Sequence, residues 1–122
     1  MLRTVDWYIS KGFSQKAAEY FAAGRKKIIA VEAKNDFTLL LTFDNGEQRI
    51  YDVAPLIKRG GVFENIKNIS DFKRVYLDSS NCVSWDIDPN INSEEVWENK
   101  IDLCPDSCYI DSIPLPDTKQ TA

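Results

Sequence analysis

Residues Phe37 to Val53 leave few choices for how this chain folds. Phe37, Leu39, Leu41 and Phe43 alternate with Thr38, Leu40 and Thr42, and Glu47, Arg49, Tyr51 and Val53 alternate with Gln48, Ile50 and Asp52. Alternation with period two is the signature of strands that bury one face. Asp44-Asn45-Gly46 lies between the two runs, and Asn-Gly supplies positive φ at both central positions of a hairpin turn. Upstream, Ile28 to Glu32 predicts a further strand, joined to the hairpin by a turn at Lys34-Asn35-Asp36. The expectation is a three-stranded antiparallel meander. Leu40 and Ile50 make its second face apolar enough to be partly covered.

The elements around the meander are shorter. Met1 to Gly12, with Trp7 and Tyr8, predicts either a short helix or an extended arm. Ser14 is placed to cap a helix over Gln15 to Ala23 that Gly24 ends, with Ala17, Tyr20 and Phe21 along one face. Arg25, Lys26 and Lys27 follow that helix end. After the meander, Pro55 to Lys58 predicts a short helix broken by Gly60-Gly61, with Val62 and Phe63 as apolar anchors. Ser70 is expected to cap a helical turn that points Phe72 inward. Arg74 to Leu77 and Cys82 to Trp85 predict a second hairpin around Asp78 to Asn81. Ser93 is expected to cap a helix over Glu94 to Asn99, with Val96 and Trp97 buried. Residues 100–116 read as an irregular packed segment rich in proline, and 117–122 as a frayed tail. The fold class is α+β. The domain reading is one unit over 1–116, with 1–27 a helical addition to a core at 28–99.

Composition narrows the chemistry. The 122 residues include no histidine, which removes Ser-His-Asp and Cys-His catalysis. Three cysteines, Cys82, Cys104 and Cys108, make an odd count. With no export signal in Met1 to Gly12, they read as structural or incidental thiols in a cytoplasmic protein. A zinc site would need Cys82 and a carboxylate beside Cys104 and Cys108. Asp86, Asp88 and Asn90 open like a calcium loop, but Ile91 and Trp97 stand where glycine and glutamate are required, so the acidic residues serve a turn. No phosphate-loop motif is present. No cofactor is expected. The longest apolar runs are a few residues, against roughly 20 for a membrane span.

Charge is unevenly spread. Residues 1–34 carry seven basic and three acidic side chains, residues 35–85 six and seven, and residues 86–122 two and nine. Opposite ends can attract within one chain or between copies. The net charge of −4 speaks against direct nucleic-acid binding, leaving only an indirect association.

The blocks from Phe37 to Val53, then Pro55-Leu56, Gly61-Val62-Phe63, Phe72-Lys73-Arg74-Val75, Val83-Ser84-Trp85 and Asp86-Ile87-Asp88-Pro89 resemble domain-of-unknown-function family 2442 over about residues 28 to 97. The resemblance implies a small bacterial protein, an α+β fold on a β-meander and no established activity. It also implies a regulatory or toxin–antitoxin-like setting, since some relatives appear beside small partner proteins or helix-turn-helix segments. It transfers no catalytic residue. The segments outside it resemble additions of a longer subgroup.

The function expected from these readings is a non-catalytic protein-binding or regulatory module. The candidate partner-binding residues are Trp7, Tyr8, Arg25, Lys26, Lys27 and Trp85, with Trp85 taken as partly exposed. The alternatives are a self-assembling homo-oligomer, and a small enzyme in which Asp44, Asp52, Asp86 and Asp88 converge.

Overall fold

A computed structural model describes residues 3–115. The meander forms as expected. Strands β1 (Ile28–Ala33), β2 (Thr38–Phe43) and β3 (Gln48–Asp52) pair antiparallel in chain order. Leu39, Leu41 and Phe43 on β2 and Tyr51 on β3, with Val53 just beyond it, are buried, while Leu40 and Ile50 on the opposite face are half-buried. The hairpin turn is a three-residue loop. Gly46 N–H donates to Phe43 O at 2.9 Å and Phe43 N–H to Glu47 O at 2.9 Å. Gly46 alone takes positive φ, at 86°, so Asn45 does not adopt the conformation expected for a two-residue turn.

Helix α1 (Val5–Ser10) starts at Thr4, whose Oγ1 accepts from Trp7 N–H at 3.1 Å. Helix α2 (Gln15–Ala23) starts at the expected Ser14 cap, where Oγ accepts from Ala17 N–H, and ends at Gly24 with φ 104°. Its buried residues are Ala18 and Tyr20. After β3 comes α3 (Ala54–Arg59), then Gly60 and Gly61, both at positive φ, and a 3-10 helix over Gly61–Ile66. Ile66 is buried there, whereas Val62 faces solvent and is no anchor; Phe63 packs on the core. Helix α4 (Ile69–Phe72) begins at Asn68, placing Ser70 inside the helix instead of at its cap.

A second sheet follows: β4 (Tyr76–Leu77), β5 (Val83–Asp86) and β6 (Lys100–Leu103) in that order, all antiparallel. The expected hairpin is its first two strands. The third replaces part of the segment read as irregular, which also holds α5 (Pro105–Ile110) and β7 (Ile113–Pro114), the latter pairing with β3 at the edge of the first sheet. The helix expected near residue 95 is absent. Ser93 gives its hydroxyl to Asp86 at 2.5 Å instead of capping, and one 3-10 turn (Trp97–Asn99) closes the loop. Released from a helix, Val96 and Trp97 face solvent, Trp97 at 77% exposure. The frayed-tail reading of 117–122 lies outside the described residues.

The two sheets share one core. Leu39, Leu41, Phe43, Tyr51 and Val53 meet Ile66, Phe72, Val83, Trp85, Ile101 and Cys108. Trp85, expected to be partly exposed, is fully buried. Its Nε1–H donates to Phe72 O at 2.8 Å, and its ring lies 5.8 Å from that of Phe72. It stands on the same face of β5 as Val83, and that face is the inner one. Burial of an aromatic with its polar atom satisfied is worth several kcal/mol. Trp85→Ala is therefore expected to lower the unfolding free energy by about 3–5 kcal/mol. Trp97→Ala should change it by less than about 0.5 kcal/mol. Urea unfolding followed by far-UV circular dichroism distinguishes the two.

Candidate functional site

The first candidate surface is the α1–α2 hairpin. Trp7 and Tyr8 meet edge to face at 5.0 Å, Tyr8 meets Phe13 at 5.3 Å and Phe21 at 5.8 Å, and Phe13 meets Phe21 at 5.4 Å. Edge and tilted arrangements set the positive ring edges against negative faces. Even so, α1 contributes no buried residue, and Trp7, Ile9 and Phe13 remain exposed. The Arg3 guanidinium lies 4.8 Å above the Trp7 ring and Lys11 Nζ 5.6 Å from it, which places positive charge around this aromatic surface.

The hairpin is fastened to the sheets through Tyr20 and α5. Tyr20 Oη donates to Asp106 Oδ1 at 2.6 Å and accepts from Lys26 N–H at 3.0 Å. Burial first, then the hydrogen bond to Asp106, raises the Tyr20 phenol above its usual range. Arg25 pairs with Asp106 at 2.7 Å. Lys26 Nζ lies 5.0 Å from the Tyr20 ring centre and 4.9 Å from that of Tyr109. The Arg49 guanidinium lies 4.2 Å from the Tyr109 centre and donates to Glu47 at 2.6 Å, Ser112 Oγ at 2.7 Å and Ser112 O at 2.8 Å. Tyr109 Oη also donates to Glu47, at 2.6 Å. Burial alone pushes the Glu47 carboxyl up, but hydrogen bonds from Tyr109, Arg49 and Asn45 outweigh it and hold the carboxyl below its usual range.

The second candidate surface is the outer face of β4–β5–β6. The side chains opposite the core are Tyr76, Ser84, Asp86, Lys100 and Asp102, with Asp78 and Cys82 beyond the strand ends. Asp86 accepts from Tyr76 Oη at 2.7 Å and from Ser93 Oγ. Asn99 Nδ2 bridges Ser93 Oγ, Asp88 O and Ile91 O, each at 3.0 Å. Asp78 accepts from Lys100 Nζ at 2.9 Å, from Ser84 Oγ, and from the backbone of Ser80 and Cys82. One group among the described residues has metal-ligand spacing: Asp78, Cys82 and Asp102, whose donor atoms lie within 4.8 Å of one another. Both Asp78 oxygens are already occupied by protein donors, so an ion would have to displace them.

The four aspartates considered as paired carboxylates do not converge. Asp44 lies at the turn of the β2–β3 hairpin and Asp52 at its open end, where it accepts from Ala54 N–H. Asp86 belongs to the other sheet, and Asp88 accepts from Asn90 N–H within its own loop. Each carboxylate of the latter three fixes a turn or a strand end.

Of the residues singled out from the sequence, Trp7 and Tyr8 lie together on the hairpin. Arg25, Lys26 and Lys27 line a cleft of ≈ 450 Å³ with Cys82, Cys104 and Asp106. Trp85 is withdrawn from any surface role by its burial. Phe13, Phe21 and the Tyr20–Asp106 pairing were not singled out. Tyr20 and Phe21 lay on the expected helix face, but the partner of Tyr20 stands 86 positions away, beyond any local pattern. Arg49 carried a readable signal, a charged residue in phase with inward-facing Tyr51 and Val53.

Asp78 allows a test by pH. Burial tends to raise its carboxyl, but the hydrogen bond from Lys100 and those from Cys82 and Ser80 N–H outweigh it and leave the group below its usual value. The folded state therefore holds this proton less tightly than the unfolded chain. Its stabilising contribution is complete above the unfolded value of about 3.9 and is lost as pH falls through the folded one. Asp78→Asn, which leaves Lys100 without its partner, is expected to cost about 3 kcal/mol at pH 7. The gap to the parent should narrow as both are unfolded at successively lower pH below about 4.

No curated protein and no solved structure matches the chain. The match that exists is to a family described as protein of unknown function, DUF2442. It runs from Ile28 at the start of β1 to Tyr109 in α5, so it takes in both sheets and leaves α1, α2 and β7 outside. On that match over residues 28–109, the chain belongs to the DUF2442 family.

Proposed function

We propose that this protein is a non-catalytic binding module that docks a protein partner on its N-terminal helical hairpin. The observation that carries this reading is α1, a helix holding Trp7, Tyr8 and Ile9 that buries none of its residues. A helix gains most of its stability from burying an apolar face, and an apolar surface left open on a monomer commonly marks an interaction site. Trp, Tyr and Arg are the residues most often found at the energetic centre of protein interfaces. Arg3 and Lys11 beside Trp7 favour an acidic segment on the partner. The hairpin also precedes the family match, so it is where a role particular to this chain would reside. Regulation alongside a small cytoplasmic partner protein in a bacterium, toxin–antitoxin-like or transcriptional, is the setting that fits such a module. With a pI of about 4.8, contact with nucleic acid would pass through that partner.

Self-assembly through oppositely charged ends draws less support. Arg25 and Asp106, one from each end, pair within a single chain. The carboxylate-enzyme reading also draws less support, because Asp44, Asp52, Asp86 and Asp88 do not gather at one place.

The test compares affinity capture from native lysate by the parent and by Trp7→Ala/Phe13→Ala. The double variant should retain its fold, with a stability change under about 2 kcal/mol for two half-exposed sites. It should recover roughly tenfold less of a stoichiometric co-purifying protein. Equal recovery by the two would exclude the hairpin as the docking site.

A further inference from the structure

Cys82 and Cys104 stand just beyond the paired ends of β5 and β6. The ladder aligns Ser84 with Asp102 and Val83 with Leu103, and one step further sets Cys82 opposite Cys104. Cys82 turns its backbone the other way. Its carbonyl accepts from Asp78 N–H at 3.1 Å and its N–H donates to Asp78 Oδ1 at 3.0 Å, both on the β4 side. Cys82 and Cys104 are thus a non-hydrogen-bonded cross-strand pair. In such pairs the Cα atoms are about 4.5 Å apart and both side chains leave the same face. That separation lies within the range of about 4.4–6.8 Å that a disulfide spans.

Both residues line the ≈ 450 Å³ cleft, whose wall includes Arg25, Lys26 and Lys27. Arg25 is paired with Asp106, whereas Lys27 makes no ion pair among the described residues. Cys104 is exposed, Cys82 half-buried and Cys108 fully buried. The three thiols therefore differ in access. Burial pushes the Cys108 thiol up to about 12, which leaves it inert in the core. Burial, then Asp78 and Asp102, also raises the Cys82 thiol, so Cys104 is the better placed to react first.

We propose that Cys82 and Cys104 form a two-thiol oxidation site that takes an anionic low-molecular-weight disulfide, such as oxidised glutathione, as its oxidant. Cys104 loses its proton, and its Sγ attacks one sulfur of that disulfide. The S–S bond breaks, and the departing thiolate takes up a proton. Cys82 then loses its proton and attacks Cys104 Sγ. The Cys82–Cys104 bond forms as the second thiolate leaves and is protonated. Two protein thiols are oxidised while one disulfide is reduced to two thiols. The cationic wall attracts the negatively charged oxidant. The bond ties β5 to the start of α5, next to Asp106, the residue that holds Arg25 and Tyr20. Oxidation would therefore stiffen the attachment of the N-terminal hairpin.

The test incubates the full chain with oxidised glutathione, blocks remaining thiols with a maleimide and maps peptides by mass. The expected product is lighter by two hydrogen atoms, with Cys82 and Cys104 linked and Cys108 alkylated only after denaturation. It should melt at a higher temperature than the reduced chain and revert on reduction. Cys82→Ser should stop at a glutathione adduct on Cys104. At low salt, oxidised glutathione should react several-fold faster than the dicationic disulfide cystamine. A wild-type chain whose Cys82 and Cys104 both remain alkylatable, or that accumulates a stable adduct on Cys104, overturns the proposal. A faster reaction with cystamine overturns the role of the cationic wall.

Discussion

A guanidinium withdrawn from water must be surrounded by acceptors or the fold loses several kcal/mol. Arg49 is 8% exposed, and its acceptors come from across the chain: Glu47 on the strand turn, the hydroxyl and carbonyl of Ser112 after α5, and the face of Tyr109. These contacts bring residues 105–114 onto the open side of β3, where β7 adds a fourth strand. Tyr109, held there, carries Lys26 and meets Tyr20 with ring centres 4.9 Å apart. Asp106, from the same short helix, takes Tyr20 and Arg25. One buried charge thus links the sheet, the C-terminal elements and the N-terminal hairpin. The stability of the hairpin depends on partners that lie outside it.

The parts legible in the sequence were those governed by local rules. The period-two alternation from Phe37 to Val53 specified the meander and its buried face, because a one-residue slip would turn Leu39, Leu41 and Phe43 toward water. Ser14 and Gly24 bounded α2 because capping is a matter of a few adjacent residues. The failures also had local causes. Ser93 looked like a cap, but its hydroxyl found Asp86, seven residues earlier, and the Glu94–Asn99 helix did not form. Without that helix Val96 and Trp97 had nothing to pack on, while Trp85, on the inner face of β5, took the central position. Strand β6 went unseen because Lys-Ile-Asp-Leu alternates over only four residues.

The residues of the candidate surface were easier to name from the sequence than their arrangement was to foresee. Trp7 and Tyr8 were recognisable as large aromatics outside the family-like core, and they do lie on a surface that the domain leaves open. Arg25 and Lys26 were read as candidate partner-binding cations beyond the helix end; in the fold one pairs with Asp106 and the other lies between two tyrosine rings. The acidic residues were open to a catalytic reading until their partners were known. Of Asp44, Asp52, Asp86 and Asp88, the last three each fix a turn or a strand end. A carboxylate committed in this way holds the shape of its loop or strand end.

The central claim is that the Arg49 cluster couples the family core to the N-terminal hairpin. Amide hydrogen exchange of the parent and Arg49→Met, followed segment by segment under conditions where both are folded, tests it most directly. The account predicts faster exchange in β7, α5 and α2 together, with β4–β6 unchanged. Loosening confined to β3, with α2 exchanging as in the parent, would contradict it.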